Sequence, residues 1–441
     1  MIECKLVTDG TQTDFVPLCA FGHYLTRNEV LRPLRRVRVP QKTVEHSPQE
    51  KLTDALIGML AGCSALYELN VRVRPDLPLQ EAFGRESCAE QSTVSDTLDA
   101  FDGRAVEGLR EAVEAIHRGH SRIFAHDFGR EMLVVEVDLT GLAASARAEG
   151  STKGYFPHKR NRRGRQLARV SAPRYGEILF EKLHAGNTNS SEVLKETVTE
   201  VERVLGLAEE PEKRKRTLIR IDGGFGTDEN LNWLCWRGYQ FVAKGYSGGR
   251  AKKVAKSVPE GGWREGPTPG QALGRPEEPH RYGRRTLTVA RRWTDAKGKP
   301  HQDLLISTMS ELGDAELAEL YDGRGAMEVD IKGDKRGLNL EKRRKRSFHA
   351  QEALALLAQL AHNLLAWFKR WFLAGTKAGR LGTERLVREV MAMPGQVSAS
   401  RWRAEKVRVK LPNLHPWAEA VAKGIRARFP RSGWRALWGE S

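Results

Sequence analysis

Thr217-Leu-Ile-Arg-Ile-Asp222-Gly-Gly-Phe-Gly-Thr227 is an apolar run that ends in a carboxylate, turns on glycine and reaches a threonine suited to cap a helix. A short run dominated by Leu and Ile reads as a strand buried on both faces. The glycines stop it, and Thr227 followed by Asp-Glu marks the start of a helix. Upstream, Glu131-Met-Leu-Val-Val-Glu-Val-Asp138-Leu-Thr has the same form, a β-branched run that delivers an Asp at its end. Two further strands are expected at 165–173 and 176–183, joined by the hairpin turn Ala172-Pro-Arg-Tyr-Gly. A helix from about Ser190 to Leu205 and a charged loop from Glu209 to Arg216 follow, and Tyr239-Gln-Phe-Val-Ala-Lys244 supplies a fifth strand. The order is β, β, β, α, β, α, β, with an Asp closing the first and fourth strands. That alternation predicts an α/β fold.

Downstream lies Tyr321-Asp-Gly-Arg324-Gly-Ala-Met-Glu328-Val-Asp-Ile-Lys-Gly-Asp-Lys335. At about 100° per residue, Tyr321, Arg324, Glu328 and Lys335 fall within an arc of roughly 60° on one helix face. A break is expected near Gly323, with Tyr321 ending a preceding turn capped by Asp314. One carboxylate flanked by two cations and a phenol suits a polyanion held against a metal, since Glu supplies a hard oxygen while Arg, Lys and Tyr hold phosphate oxygens. The bland alternative is an exposed helix with an ordinary Arg/Glu pair at i,i+4.

Composition narrows the partners. The chain has 441 residues and a formal net charge of +17, with a pI near 9.7. Such an excess favours a polyanion, nucleic acid before membrane. Cys4, Cys19, Cys63, Cys88 and Cys235 are odd in number and lack CxxC spacing, which argues against a disulfide framework and a zinc site and fits a reducing cytoplasm. The opening residues have neither a basic start nor an apolar run, so no signal peptide is expected. Ala353 to Phe372 is apolar but interrupted by Gln359, His362, Asn363, Lys369 and Arg370, and reads as a buried helix rather than a membrane span.

Ser47 and Pro48 open a strong helix signal over 47–65. Glu90-Gln-Ser-Thr-Val-Ser-Asp-Thr-Leu98 has the look of the second helix of a helix-turn-helix, with an ordinary capped surface helix as its alternative. Further helices are expected at about 104–118 and 415–428. Residues 245–310 are rich in Gly, Arg and Pro with two strand-like runs, and read as a partly β insertion. Lys159-Arg-Asn-Arg-Arg-Gly-Arg165 is either a phosphate-tracking segment or a solvated loop.

Tyr-x2-Arg-x3-Glu-x6-Lys resembles, at all four positions, the signature of a group of bacterial insertion-sequence transposases of the DDE class. Asp138-Leu-Thr140, Lys153-Gly-Tyr-Phe156, Gly186-Asn-Thr188, Arg220-Ile-Asp222-Gly-Gly-Phe225 and Asn363-Leu-Leu are similar to further motifs of that group, so the resemblance covers roughly 120–372. It implies a ribonuclease H-like catalytic domain over 119–372 with the insertion inside it. A helical DNA-binding domain over 1–118 precedes it, and a basic C-terminal region over 373–441 follows. It implies Asp138, Asp222 and Glu328 as a catalytic and metal-binding triad for two Mg²⁺ ions, with Mn²⁺ as a substitute. Tyr321, Arg324 and Lys335 would grip DNA phosphates. The expected activity is recognition of terminal inverted repeats, cleavage of donor DNA and joining of its 3′ ends to a target. The partners would be transposon-end and target DNA and a second copy of the chain, and the setting a bacterial cytoplasm near the nucleoid. Some relatives stack a flipped base on a Trp of the insertion, which makes Trp263 and Trp293 candidates, against simple packing or a cation-π pair. Two rival readings are a ribonuclease H-like nuclease or domesticated relative that cuts without joining, and a non-catalytic DNA-binding regulator.

Overall fold

The computed structural model describes residues 11–156, 161–400 and 403–429. The chain packs as two units, Arg122–Val329 in one and Met1–Ser121 with Asp330–Ser441 in the other.

Arg122–Val329 is built on a ten-stranded mixed sheet. Its strands in chain order are β1 (Leu133–Ala143), β2 (Thr152–Lys153), β3 (Arg163–Ala172), β4 (Glu177–Ala185), β5 (Thr217–Ile221), β6 (Gln240–Lys244), β7 (Trp263–Glu265), β8 (Gln271–Gly274), β9 (Leu287–Thr294) and β10 (Pro300–Ser307). Across the sheet the order is β3, β1, β5, β6, β10, β9, β8, β7, with β2 and β4 both pairing with β3. β1, β5 and β6 run parallel, and β3, β4 and β10 pair antiparallel. Parallel neighbours need crossover connections, and the helices Ser190–Leu205 and Asp228–Arg237 lie in them. Both start where the sequence reading places them: Asn189 and Glu192 form a capping box, and Thr227 caps the Asn230 amide.

Two findings depart from the sequence reading. β1 does not stop at Asp138 but runs on to Ala143. Its parallel pairing with β5 ends at Val137, and the antiparallel pairing with β3 carries the strand on through Asp138, Thr140 and Gly141. A polar residue is tolerated there because one edge has lost its neighbour. The strands of the 245–310 segment also extend the main sheet, since β10 pairs with β6 through Leu305↔Lys244, Ile306↔Ala243 and Ser307↔Val242.

The sheet is covered on both faces. Val135, Val137, Ile219, Ile221, Phe241 and Ala243 pack on one side with helix Ser190–Leu205. Leu218, Val242, Val289 and Leu305 pack on the other with Leu317, Ala318 and Tyr321 of helix Asp314–Asp322.

The other unit is largely helical. Its longest element is the helix Phe348–Phe372, capped by Ser47's counterpart in role, Ser347, and buried along most of its length. Helices Val16–Arg27, Pro48–Leu60, Gln91–Asp99 and Gly103–His120 belong to the same unit. Pro48–Leu60 begins as the sequence reads, with Ser47 and Glu50 forming a capping box. Phe21, Tyr24, Phe368, Trp371, Phe372 and Phe429 form an aromatic cluster. Helix Ala418–Arg428 reaches that cluster because Gly424 has no side chain: a Cβ there would stand 1.8 Å from the Phe372 carbonyl oxygen. A three-stranded sheet of Gln12–Thr13, Gly395–Ser400 and Arg403–Lys410 completes the unit. Cys19, Cys63, Cys88 and Cys235 are free and buried. No helix of the described residues is long and apolar enough to cross a membrane.

Candidate active site

Strand side chains alternate between faces, so residues 134, 136 and 138 of β1 share one face, as do 218, 220 and 222 at β5. These are the face covered by helix Asp314–Asp322, where Val134 and Leu218 pack. The last parallel pair is Val137↔Ile221, and the next residues along the two strands are Asp138 and Asp222. Two carboxylates thus sit side by side where the parallel ladder ends.

The third comes from the 321–335 stretch, which breaks where the sequence suggested. Helix Asp314–Asp322 ends at Gly323, and a second helix, Gly325–Gly337, begins after Arg324. Tyr321 therefore does not share a helix with Glu328. Nor is Asp314 the cap: Gly313 occupies that position and its amide donates to Glu316 Oε2 at 2.7 Å, while Asp314 pairs with Arg275 at 2.6 Å.

Arg324, in the break, ties the acids together. Its Nη2 donates to Asp138 Oδ1 at 2.8 Å and lies 4.0 Å from Asp222 Oδ2, and its Nη1 lies 3.6 Å from Glu328 Oε1. The guanidinium side chain is 8% exposed, against 19%, 38% and 71% for Asp138, Asp222 and Glu328. The acids form a graded wall from a buried floor to an open rim. Burial pushes the Asp138 carboxyl above its ordinary range; Arg324 opposes that, while Asp222 and Glu328 add to it. Burial works against the Arg324 charge, yet Asp138 and Asp222 outweigh it and raise its proton affinity. Asp222 also accepts the Gly224 amide at 2.9 Å, which holds its carboxylate over the glycine turn.

The other expected contacts divide. Tyr321 is buried, lies under the Arg291 guanidinium at 5.3 Å, and has its phenol pushed up to about 12, chiefly by burial. Lys335 lies in the last turn of Gly325–Gly337, its Nζ 3.5 Å from Glu341 Oε1, within the other packing unit. Trp293 stacks on His301 at 5.4 Å and takes Arg291 over its ring, and Trp263 lies under Arg292 at 4.0 Å, so both engage as cation-π partners. In the basic stretch 159–165, Lys159 and Arg160 lie outside the described residues. Arg165 points inward, donating to the Glu149 carbonyl at 2.6 Å.

The sequence reading missed a polar row on this same sheet face. Arg169 stands opposite Asp138 and pairs with Glu181. Lys244 approaches Asp303 at 3.3 Å, and Asp303 takes both ends of Arg291, whose Nη1 also reaches Asp322 at 2.7 Å. One step behind, Glu136 is fully buried and paired with Arg220, which also donates to the Leu320 carbonyl at 2.6 Å. The signal was a charged residue inside each apolar strand, invisible as a row until the register is known.

Among the described residues, no group of three or more His, Cys, Asp or Glu side chains is arranged to hold a metal ion. The three carboxylates converge on a guanidinium instead. Three acids around one cation leave two negative charges uncompensated, and the donors are hard oxygens with no soft ligand among them. That chemistry fits a hard divalent cation.

A family model described as transposase DDE domain group 1 matches residues 27–428. No curated protein matches the chain. Among solved structures the chain is similar to a piggyBac transposase in a synaptic complex with hairpin DNA, determined by cryo-EM. The TM-score is 0.46 and the identity 14%, over 86% of this chain and 80% of that one.

Proposed function

The chain belongs to the transposase DDE domain group 1 family, and from that premise we propose that it is a DNA transposase that binds terminal inverted repeats, cleaves donor DNA and joins its 3′ ends to target DNA. The observation that carries the reading is the convergence of Asp138, Asp222 and Glu328 on Arg324, three acids from distant parts of the chain within 4.0 Å of one side chain. The order β4, β3, β1, β5, β6 with β3 alone reversed, and with acids where β1 and β5 part, supports a ribonuclease H-like core.

The family generally uses divalent metal ions. Asp138, Asp222 and Glu328 would hold two Mg²⁺ here, with Mn²⁺ as a substitute. Bound ions of this kind polarise a phosphodiester and activate the attacking oxygen. The rest falls to the chain's own groups. Arg324 keeps three mutually repelling carboxylates at one place. Tyr321, a phenol protonated at neutral pH with or without the rise that burial causes, would donate to a phosphate oxygen. The resemblance adds Lys335 as a further phosphate contact.

Purified protein with Mg²⁺ and duplexes taken from DNA flanking the gene tests this. Wild type should cut, and should join pre-cleaved 3′ ends to a plasmid. Asp222→Asn should bind the same duplex and do neither. Hydrolysis without joining would favour a nuclease, full cleavage in Asp222→Asn would remove Asp222 from the chemistry, and binding without any cleavage by wild type would leave only a DNA-binding role.

A further inference from the structure

We infer that the helical unit holds duplex DNA by a ridge formed by Arg35, Arg36, Arg38 and Lys42, and that helix Gln91–Asp99 is not its DNA-reading element. The inference rests on the proposed DNA partner and specifies where that partner is gripped.

The ridge is rigid for a sequence reason. Leu34, Val37 and Val39 are buried, while Arg35, Arg36 and Arg38 between them are exposed. The short 3-10 turn Arg32–Arg36 gives way at Val37 to extended backbone, so the apolar residues pin the segment and the cations project from it. From Arg32 to Lys42 there are five basic residues and no acid. Arg32 is spent on Glu29 at 3.0 Å. The other four have no ion pair or hydrogen bond among the described residues. Arg35 also opens onto a cavity of about 420 Å³ lined by Arg32, Arg85, Gln49 and Ser47.

Several other basic groups in the unit are committed internally. Arg85 binds Asp54 and Glu50. In the run 342–346, Arg343 is buried against the Cys63 and Leu338 carbonyls, and Lys345 binds Asp99 at 2.6 Å and the Ser95 carbonyl at 2.9 Å.

Those last contacts disqualify the helix that looked like a reading head. Lys345 occupies Ser95 and Asp99, Thr93 Oγ1 donates to the Glu90 carbonyl, and Val94, Thr97 and Leu98 face the core. Its exposed residues are Glu90, Asp96 and Asp99, the last paired with Lys345. Carboxylates set against phosphates repel them, whereas unpaired arginines release counterions and gain affinity for any sequence. The ridge therefore supplies hold and register rather than base reading.

The test uses the full chain and a fluorescent 30-base-pair duplex of mixed sequence, with anisotropy read from low to moderate salt. Arg35→Gln/Arg36→Gln/Arg38→Gln should weaken binding tenfold or more and flatten the plot of log affinity against log salt by about 1 per arginine removed. All three are exposed, so its thermal midpoint should match wild type. Gln91→Ala/Ser92→Ala should bind as wild type does. An unchanged affinity and salt slope in the triple variant overturns the ridge. A greater loss in the Gln91/Ser92 variant than in the triple variant overturns it in favour of the helix. If wild type itself shows no salt-dependent binding, the DNA partner fails along with the ridge.

Discussion

Arg324 and Asp138, 186 positions apart, meet in a 2.8 Å charge-assisted hydrogen bond that draws the turn between two helices against the floor of the acidic wall. The pair is nearly buried, and the same guanidinium spans Asp222 and Glu328. Removing one partner of a buried pair leaves the other charge uncompensated, at a cost of about 3–5 kcal/mol. Here the survivors are three like charges. Arg324→Ala should lower the thermal midpoint sharply and abolish cleavage. Arg324→Lys should restore part of the stability, because one ammonium cannot reach three acids with a planar fork. Melting curves of both variants decide the point, and a midpoint for Arg324→Ala equal to wild type would refute it.

Glu136 and Arg220 lie one step behind that wall and test a structural role. Glu136→Gln should cost about 3–5 kcal/mol, whereas Glu136→Gln combined with Arg220→Met should recover much of it, since an unpaired charge is worse than none. Arg220 also holds the Leu320 carbonyl, next to Tyr321, so the single variant should lose cleavage as well as stability. Thermal unfolding and cleavage of the single and double variants are the measurements.

Two glycines should respond oppositely to alanine. A Cβ on Gly226 would stand 2.0 Å from the Lys244 carbonyl oxygen, which is backbone and cannot swing away. Gly226→Ala should destabilise the sheet unit by roughly 3 kcal/mol and disturb the turn behind Asp222. Gly108, inside helix Gly103–His120, has open space about it. Gly108→Ala should stabilise by about 0.5–1 kcal/mol. A rise in midpoint for the first or a fall for the second contradicts the packing described.

His23 gives a pH signature. Burial lowers its pKa from 6.5 to about 4. The folded state then binds its proton less tightly than the unfolded chain does, so stability falls as pH drops from about 6.5 toward 4 and levels below that. The full loss amounts to about 3 kcal/mol. His23→Gln should flatten this part of the curve. Comparing thermal midpoints of wild type and variant at pH 7.5, 6 and 5 checks it, and parallel curves would exclude His23 as a source.

Asp222→Asn should leave the salt-dependent affinity for duplex DNA within about twofold while removing cleavage. The substitution takes away one carboxylate at the wall and touches none of the ridge cations. Anisotropy and cleavage on the same preparation separate the two effects.

The sequence by itself determined the elements. Apolar runs with terminal acids gave β1 and β5, and Ser47-Pro48 and Thr227-Asp228 gave helix starts, because caps and strand composition act over a few residues. It also marked Gly323 as the break and named Asp138, Asp222, Glu328 and Arg324, which the structure brings together, along with Lys335, which lies by Glu341 in the other unit. It could not say that Asp138 sits inside a strand, since that depends on β3 pairing past the point where β5 ends. It could not show that residues 263–307 continue the main sheet, or that Lys345 binds Ser95 and Asp99 of helix Gln91–Asp99. Above all, only the tertiary structure set Arg324 among Asp138, Asp222 and Glu328. Local preferences choose strand or helix, but which charges meet is fixed by register and by the packing of segments far apart in the chain.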